Sequence, residues 1–220
     1  MRSTLPALVF DLDGTLSDPA VGIGRSLNHA LQAIGFPPIA ESQVSRYIGP
    51  PLDHTFRAIT GTDSPDVVEA LVARYRERYA DVGYAENVLY AGMPEAIAGL
   101  AGRGLVLGVC TSKRVDFAEK ILQMFGLRSH FAFVDGGEIG VDKVQQLRRL
   151  LADGRIDGGA SMIGDRAVDV VAAKRNGLRS IGVLWGHGSV EELEGAGADA
   201  ILTHVAELGR LGGDHPAHIL

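Results

Sequence analysis

Cysteine is the scarcest chemistry in this chain: of 220 residues, Cys110 alone carries a thiol. One cysteine cannot close an intramolecular disulfide, so a disulfide-stapled secreted scaffold is excluded, as is a cysteine-based zinc centre. No apolar run approaches the roughly 20 residues of a membrane-spanning helix. The opening residues, Met1-Arg2-Ser3-Thr4-Leu5-Pro6, pass straight into a strand-like run without the apolar core of a signal peptide. Positive charge is also in deficit. Lys plus Arg is 21 and Asp plus Glu is 27, a net charge of −6, which gives no long-range attraction to nucleic acid or an anionic membrane. No Gly-Lys pair exists to build a Walker-type loop. Where a cysteine phosphatase needs arginine, six residues after Cys110, the chain has Asp116. The expectation is a cytoplasmic protein with a small-molecule partner, no nucleic-acid or membrane partner, and a monomeric or small homo-oligomeric state.

What is plentiful is glycine, 29 residues, about twice the average share. It is dispersed along a chain of globular composition, 46% hydrophobic and 22% charged, so it points to many tight loops. Short apolar runs recur at 7–10, 105–110, 131–134, 161–163, 180–184 and 200–202. Most are continuously apolar, as strands buried on both faces are. Helical patterns fill several gaps, at 116–125, at 143–151, and at 169–176 ending on Gly177. Alternating strands and helices predict an α/β fold with a Rossmann-like parallel sheet.

One gap breaks the rhythm, because roughly ninety residues separate the first strand from the second, far more than a crossover needs. They read as helices at 20–34, 41–47, 52–59 and 65–81. The last has Ser64 at its N-cap, Pro65 at its first position, and a stripe of Val68, Leu71, Val72, Tyr75 and Tyr79. The sequence therefore predicts a catalytic core of residues 1–16 and 89–220 with a helical cap domain, 17–88, inserted in it. The tail, 211–220, has no periodic pattern and reads as loose. His215 and His218 there have metal-ligand spacing but no supporting element.

Open parallel sheets bind ligands at the carboxyl ends of their strands. Four features fall there: Asp11-Leu12-Asp13-Gly14-Thr15, Cys110-Thr111-Ser112, Lys143 at a helix start, and Gly164-Asp165 with Asp169 four residues on. Taken singly, such residues are turn, cap and surface residues. Taken together, Asp11, Asp13 and Asp165 would repel one another by several kcal/mol without a cation. A hard divalent ion compensates oxygen ligands, and Mg²⁺ is the usual choice beside phosphate. Thr111 and Ser112 offer a hydroxyl and amide groups at a helix start, an anion site, and Lys143 adds fixed positive charge.

The run Val9-Phe10-Asp11-Leu12-Asp13-Gly14-Thr15-Leu16 resembles the first signature of the haloacid-dehalogenase-like (HAD) hydrolases. Thr111-Ser112, Lys143 and Gly164-Asp165-Arg166 with Asp169 match the other three, in order, so the resemblance covers about residues 7 to 208. Ile48-Gly49-Pro50-Pro51-Leu52 and Gly182-Val183-Leu184-Trp185-Gly186-His187-Gly188-Ser189 resemble the phosphoglycolate phosphatase-like branch, which includes 5′-nucleotidases. Two departures stand out: Val144 follows Lys143 where many relatives have proline, and the stretch 136–142 is short. The resemblance implies a Mg²⁺-dependent phosphatase acting on a small phosphorylated metabolite such as phosphoglycolate. Asp11 would attack phosphorus to form an aspartyl-phosphate, and Asp13 would protonate the leaving oxygen and then activate water. It also implies metal ligation by Asp11, the Asp13 carbonyl and Asp165. Thr111, Ser112 and Lys143 would hold phosphoryl oxygens. Asp169 would hold a metal-bound water or orient Lys143.

Several rivals share these parts. A dehalogenase needs neither Asp13 nor Mg²⁺. A phosphonate-cleaving relative needs a cap lysine, and 17–88 contains none. The polar cap residues of a sugar phosphomutase are not recognisable. A phospho-Asp receiver or non-catalytic binding protein is shorter or lacks the residues for hydrolysis. A 5′-nucleotidase or sugar-phosphate phosphatase remains the alternative within the family. Arg46, in the cap loop 46–51, is the candidate grip for a second anionic group.

Overall fold

The computed structural model describes residues 6–138 and 140–212. The chain alternates strands and helices in the order β1 (Leu8–Phe10), β2 (Ser17–Asp18), α1 (Ala20–Ile34), α2 (Leu52–Thr60), α3 (Pro65–Asp81), β3 (Val88–Leu89) and α4 (Met93–Gly102). It continues through β4 (Leu107–Cys110), α5 (Val115–Met124), β5 (Phe133–Asp135), α6 (Lys143–Ala152), β6 (Ser161–Gly164) and α7 (Ala167–Arg175), then β7 (Arg179–Val183), α8 (Val190–Gly195) and β8 (Ala200–Leu202). Six strands form one sheet in the order β5-β4-β1-β6-β7-β8, every pairing parallel. The expected α/β fold with a parallel sheet is what the chain adopts. The sheet grows outward from β1 in both directions, so β1 lies at the reversal of strand order, where such sheets bind ligands.

Two compact units result: Asp18–Val88 is one, and the chain before and after it makes the other. The larger unit is built on the sheet. Val9 joins Cys110, Phe133 and Met162 on one face, packed against Leu147, Leu150, Ala172 and Ala173 of α6 and α7. Phe10, on the opposite face by strand alternation, meets the edge of the Phe131 ring at 6.2 Å. Cys110 is buried at the end of β4, and burial pushes its thiol well above the usual range, so it is a small hydrophobe rather than a nucleophile.

The smaller unit is helical. α1 and α3 pack together, α2 lies on α3, and the 3₁₀ turn Glu41–Tyr47 lies on α1. The stripe foreseen on α3 is inward-facing at Val68, Leu71, Tyr75 and Tyr79. Tyr75 stacks on Tyr79 at 5.4 Å and meets the edge of Phe56, geometries aromatic rings favour. Ser64 occupies the N-cap of α3 with extended backbone, but its side chain makes no capping hydrogen bond among the described residues.

Two helices and the two-residue strands β2 and β3 escaped the sequence. α4 opens on Gly92 and Pro94 and carries Gly99 and Gly102, which dilute its helical signal. α8 has only six residues, too few for a period to show. Among the described residues no helix is long and apolar enough to cross a membrane. His215, His218 and residues 213–220 of the tail lie outside the described residues.

Candidate active site

The carboxyl ends of β1, β4 and β6 bring together Asp11, Asp13, Thr111, Lys143, Asp165 and Asp169. Asp11 follows β1 directly, and its N–H donates to Ile163 O at 2.9 Å, which registers it against β6. The chain then turns sharply. Gly14 adopts φ +84°, and a Cβ there would lie 2.2 Å from Asp165 Oδ2, so glycine is required by backbone and space alike. Thr15 beyond the turn donates its hydroxyl to Asp165 Oδ1 at 3.2 Å. His187 N–H donates to Asp165 Oδ2 at 2.8 Å, and Trp185 Nε1 donates to Thr15 O at 2.9 Å. The loop after β7 thereby braces both the β1 turn and the β6 carboxylate.

Lys143 is placed by a local sequence device. Asp142 accepts the Gln145 N–H at 2.8 Å while Gln145 Oε1 accepts the Asp142 N–H at 2.9 Å. This capping box starts α6 at Lys143, with Val144 at its second position. From that first position Lys143 Nζ reaches Asp169 Oδ1 at 2.5 Å and lies 3.1 Å from Asp11 Oδ1. Burial alone would depress the lysine, but Asp11 and Asp169 outweigh it and hold the ammonium charged well above the usual lysine range. Asp169, in the first turn of α7, also accepts the Arg166 N–H through Oδ2 at 3.1 Å, so both its oxygens are engaged.

Carboxylate oxygens of Asp11, Asp165 and Asp169 all lie within 4.8 Å of one another, and all three residues are buried. Three carboxylates face one buried lysine. Burial, reinforced by the charges of Asp169 and Asp11, pushes Asp165 up to about 7. Burial and Asp11 push Asp169 up to about 6 against the pull of Lys143. Among the described residues, Asp11 Oδ1 and Asp13 Oδ1 accept no hydrogen bond although both are buried. Buried hard oxygens that accept no hydrogen bond, beside carboxyls driven toward neutrality, are the marks of an acidic cluster that fits a divalent cation.

Asp13 is held apart from this group. Its Oδ2 lies 2.8 Å from Lys113 Nζ, and burial raises its carboxyl above the usual range against the opposing pull of Lys113. Lys113 is absent from the sequence expectation. Its position, directly after Thr111-Ser112, was the available signal, but an isolated lysine in a loop reads as solvated.

The expected helix start at Thr111-Ser112 needs correction. α5 begins at Val115, with Arg114 at its N-cap. The Thr111 hydroxyl accepts the Lys113 N–H at 3.2 Å, and Lys113 O accepts the Gly137 N–H at 2.7 Å. These bonds hold 111–113 in a loop, so an anion there would meet loop amides and the Thr111 hydroxyl, not a helix terminus. Thr111 is buried, its N–H donating to Asp135 O and its carbonyl accepting from Gln146 Nε2. Ser112 is exposed. Arg46 sits exposed in the turn Glu41–Tyr47 of the helical unit and is not among the clustered residues.

Comparison with known proteins gives a consistent set of relatives. The family profile described as haloacid dehalogenase-like hydrolase matches residues 8–183. A curated 5′-nucleotidase of Pseudomonas aeruginosa is 41% identical over 192 residues, 86% of this chain and 86% of that one. A Mycobacterium tuberculosis protein named tyrosine-protein kinase PtkA is 37% identical over 209 residues, 93% of this chain and 70% of the other. A phosphoglycolate phosphatase of Vibrio parahaemolyticus is 31% identical over 218 residues, covering 94% and 96%. The crystal structure of a predicted phosphatase from Clostridium acetobutylicum superposes with a TM-score of 0.87 at 35% identity, over 94% of this chain and 98% of that one.

Proposed function

Because the chain belongs to the haloacid dehalogenase-like hydrolase family, we propose that it is a Mg²⁺-dependent phosphatase of a small phosphate monoester. It works through an aspartyl-phosphate on Asp11. The observation carrying this reading is the contrast between two carboxylates two residues apart. Asp11 lies beside the Lys143 ammonium with an oxygen that accepts no hydrogen bond among the described residues. Asp13 faces another lysine and has its carboxyl raised by burial. Two acids in such different contacts, one beside the buried ammonium and one held on a separate lysine, suit the separate roles of nucleophile and general acid.

Asp11 attacks phosphorus as the bond to the leaving oxygen breaks, and Asp13 gives that oxygen its proton. Asp13 then takes a proton from the water that hydrolyses the aspartyl-phosphate, which restores both residues. Thr111, Ser112 and Lys143 hold the phosphoryl oxygens and stabilise their charge, and Asp169 fixes the direction of Lys143. Asp11, the Asp13 carbonyl and Asp165 would hold Mg²⁺, which supplies positive charge to screen carboxylates from an anionic substrate. Residues 17–88 correspond to the cap domain of this reading, with Arg46 as a candidate contact to a second anionic group.

The substrate is phosphoglycolate or a similarly small ester, as the Vibrio relative's name suggests. A nucleoside 5′-monophosphate is the second reading, favoured by the 41% identical relative. Transfer to a tyrosine hydroxyl in place of water would share the first step, as the Mycobacterium relative's name invites. One assay decides. D11N is expected to lose at least about 10³-fold in kcat with its fold intact, and the wild-type chain to give acid-stable label on Asp11 after rapid quench with phosphate-labelled substrate. Wild-type turnover in D11N overturns the nucleophile. Comparing kcat/KM over phosphoglycolate, nucleoside monophosphates, sugar phosphates, a tyrosine peptide with a phosphoryl donor, and an aryl phosphate ranks the acceptors. A phosphoglycolate value no better than the aryl phosphate overturns the first substrate.

A further inference from the structure

We propose that Lys113 is an exchange residue of the phosphate loop: its ammonium leaves the Asp13 carboxylate for an incoming phosphoryl group, so that filling the loop releases Asp13. The proposal rests on the reading of Thr111 and Ser112 as phosphate-holding residues and adds a partner that couples them to the acid.

The geometry separates a fixed part from a movable one. Lys113 is pinned through its backbone, its N–H on Thr111 Oγ1 at 3.2 Å and its carbonyl receiving the Gly137 N–H at 2.7 Å. Gly137 comes so near that a Cβ on it would lie 2.1 Å from Ser112 O, so the loop cannot shift toward it. The four-carbon stem lies beyond these backbone bonds and can redirect Nζ while the loop stays still. At present Nζ lies 2.8 Å from Asp13 Oδ2, the side chains being 7% and 13% exposed. A contact this dry is decided by which anion is nearest and most highly charged. A phosphoryl dianion resting on Thr111 and Ser112, the two residues just before Lys113, offers more charge and more acceptor oxygens than one carboxylate. Lys113 is its close ion-pair partner: among the described residues Asp13 Oδ1 accepts no hydrogen bond, and His187 adds only a weaker electrostatic pull. Once Lys113 turns away, the carboxyl can rotate to the leaving oxygen.

The test reads binding of inorganic phosphate to the full chain in the presence of Mg²⁺ by titration calorimetry, which does not depend on turnover. K113M is expected to weaken phosphate about tenfold, the worth of one charged hydrogen bond, and K113R to restore most of it. D13N is expected to tighten phosphate several-fold when Lys113 is present, because its competitor is gone, and to have no such effect in the K113M background. The exchange is overturned if K113M binds phosphate as the wild type does. It is equally overturned if D13N tightens binding to the same extent with and without Lys113, which would make Asp13 a simple repeller. Should K113M fail to fold, the same cycle on K113Q decides. T111A separates the layers: unchanged phosphate affinity there overturns the phosphate-loop reading itself, whatever Lys113 does.

Discussion

Asp165 combines two donors that favour its ionised form, the Thr15 hydroxyl and the His187 amide, with burial and two acidic neighbours that oppose it. The opposing side wins, and the carboxyl titrates at about 7 rather than 3.8. Asp169 follows at about 6. A carboxyl raised on folding holds its proton in the native state where the unfolded chain has already released it. Stability is therefore fullest below the unfolded value and is lost as pH rises through the folded one. For the metal-free protein this predicts a urea midpoint higher at about pH 5 than at about pH 8, with a difference on the order of several kcal/mol that D165N largely removes. A midpoint that rises over the same interval in metal-free wild type contradicts the account. The identity of these residues was legible from order and type in the sequence. What was not legible is that Lys143 reaches past Asp169 to Asp11, because the reach depends on where α6 and α7 set their first turns.

Among the elements, the helical unit shows how a charge cluster fastens segments distant in sequence. Glu86 receives Arg78 through Nη1 at 2.9 Å and Nη2 at 3.1 Å, and Arg25 at 2.6 Å. Arg78 also donates to Ser26 Oγ at 3.1 Å, so α1, α3 and the segment after α3 meet at one carboxylate. The Arg78 hydrogen bonds, helped by Arg25, hold Glu86 below the usual glutamate range despite its partial burial. A carboxyl lowered on folding stabilises the protein above its unfolded pKa, and that stability is lost as pH falls through the folded value. E86Q is expected to cost about 1–2 kcal/mol at neutral pH and nearly nothing in strong acid. Thermal unfolding of both proteins across pH checks this, and an equal loss at both ends would remove the charge from the explanation. The three hydrogen bonds from two arginines to Glu86 span up to 61 positions, so no local pattern announced them. The helices themselves were announced, since α1 and α3 carry apolar stripes and α3 has proline at its first position. The loop of 111–113 was misjudged as a helix start because Thr and Ser cap helices and also close turns, and only the bond to Gly137 distinguishes the two.

For the whole molecule, the acidic balance has a local meaning, because three buried carboxylates stand around one lysine. Chelation is expected to abolish turnover and added Mg²⁺ to restore it, with D165N failing to recover; activity persisting in metal-free protein would end the cation argument. Sequence by itself determined the parallel α/β fold, since runs of apolar residues must be buried on both faces and alternate with amphipathic helices. It also determined the order of the acidic, hydroxyl and lysine signatures, because ligand-binding residues follow strand ends. Only the tertiary structure decided how these groups pair. Asp11 and Asp169 share Lys143, Asp13 is given to Lys113, and Asp165 is braced by the loop after β7. Such pairings depend on distances of a few ångströms between segments up to about 150 residues apart, and those distances are set by strand register and loop packing, which a linear pattern does not encode.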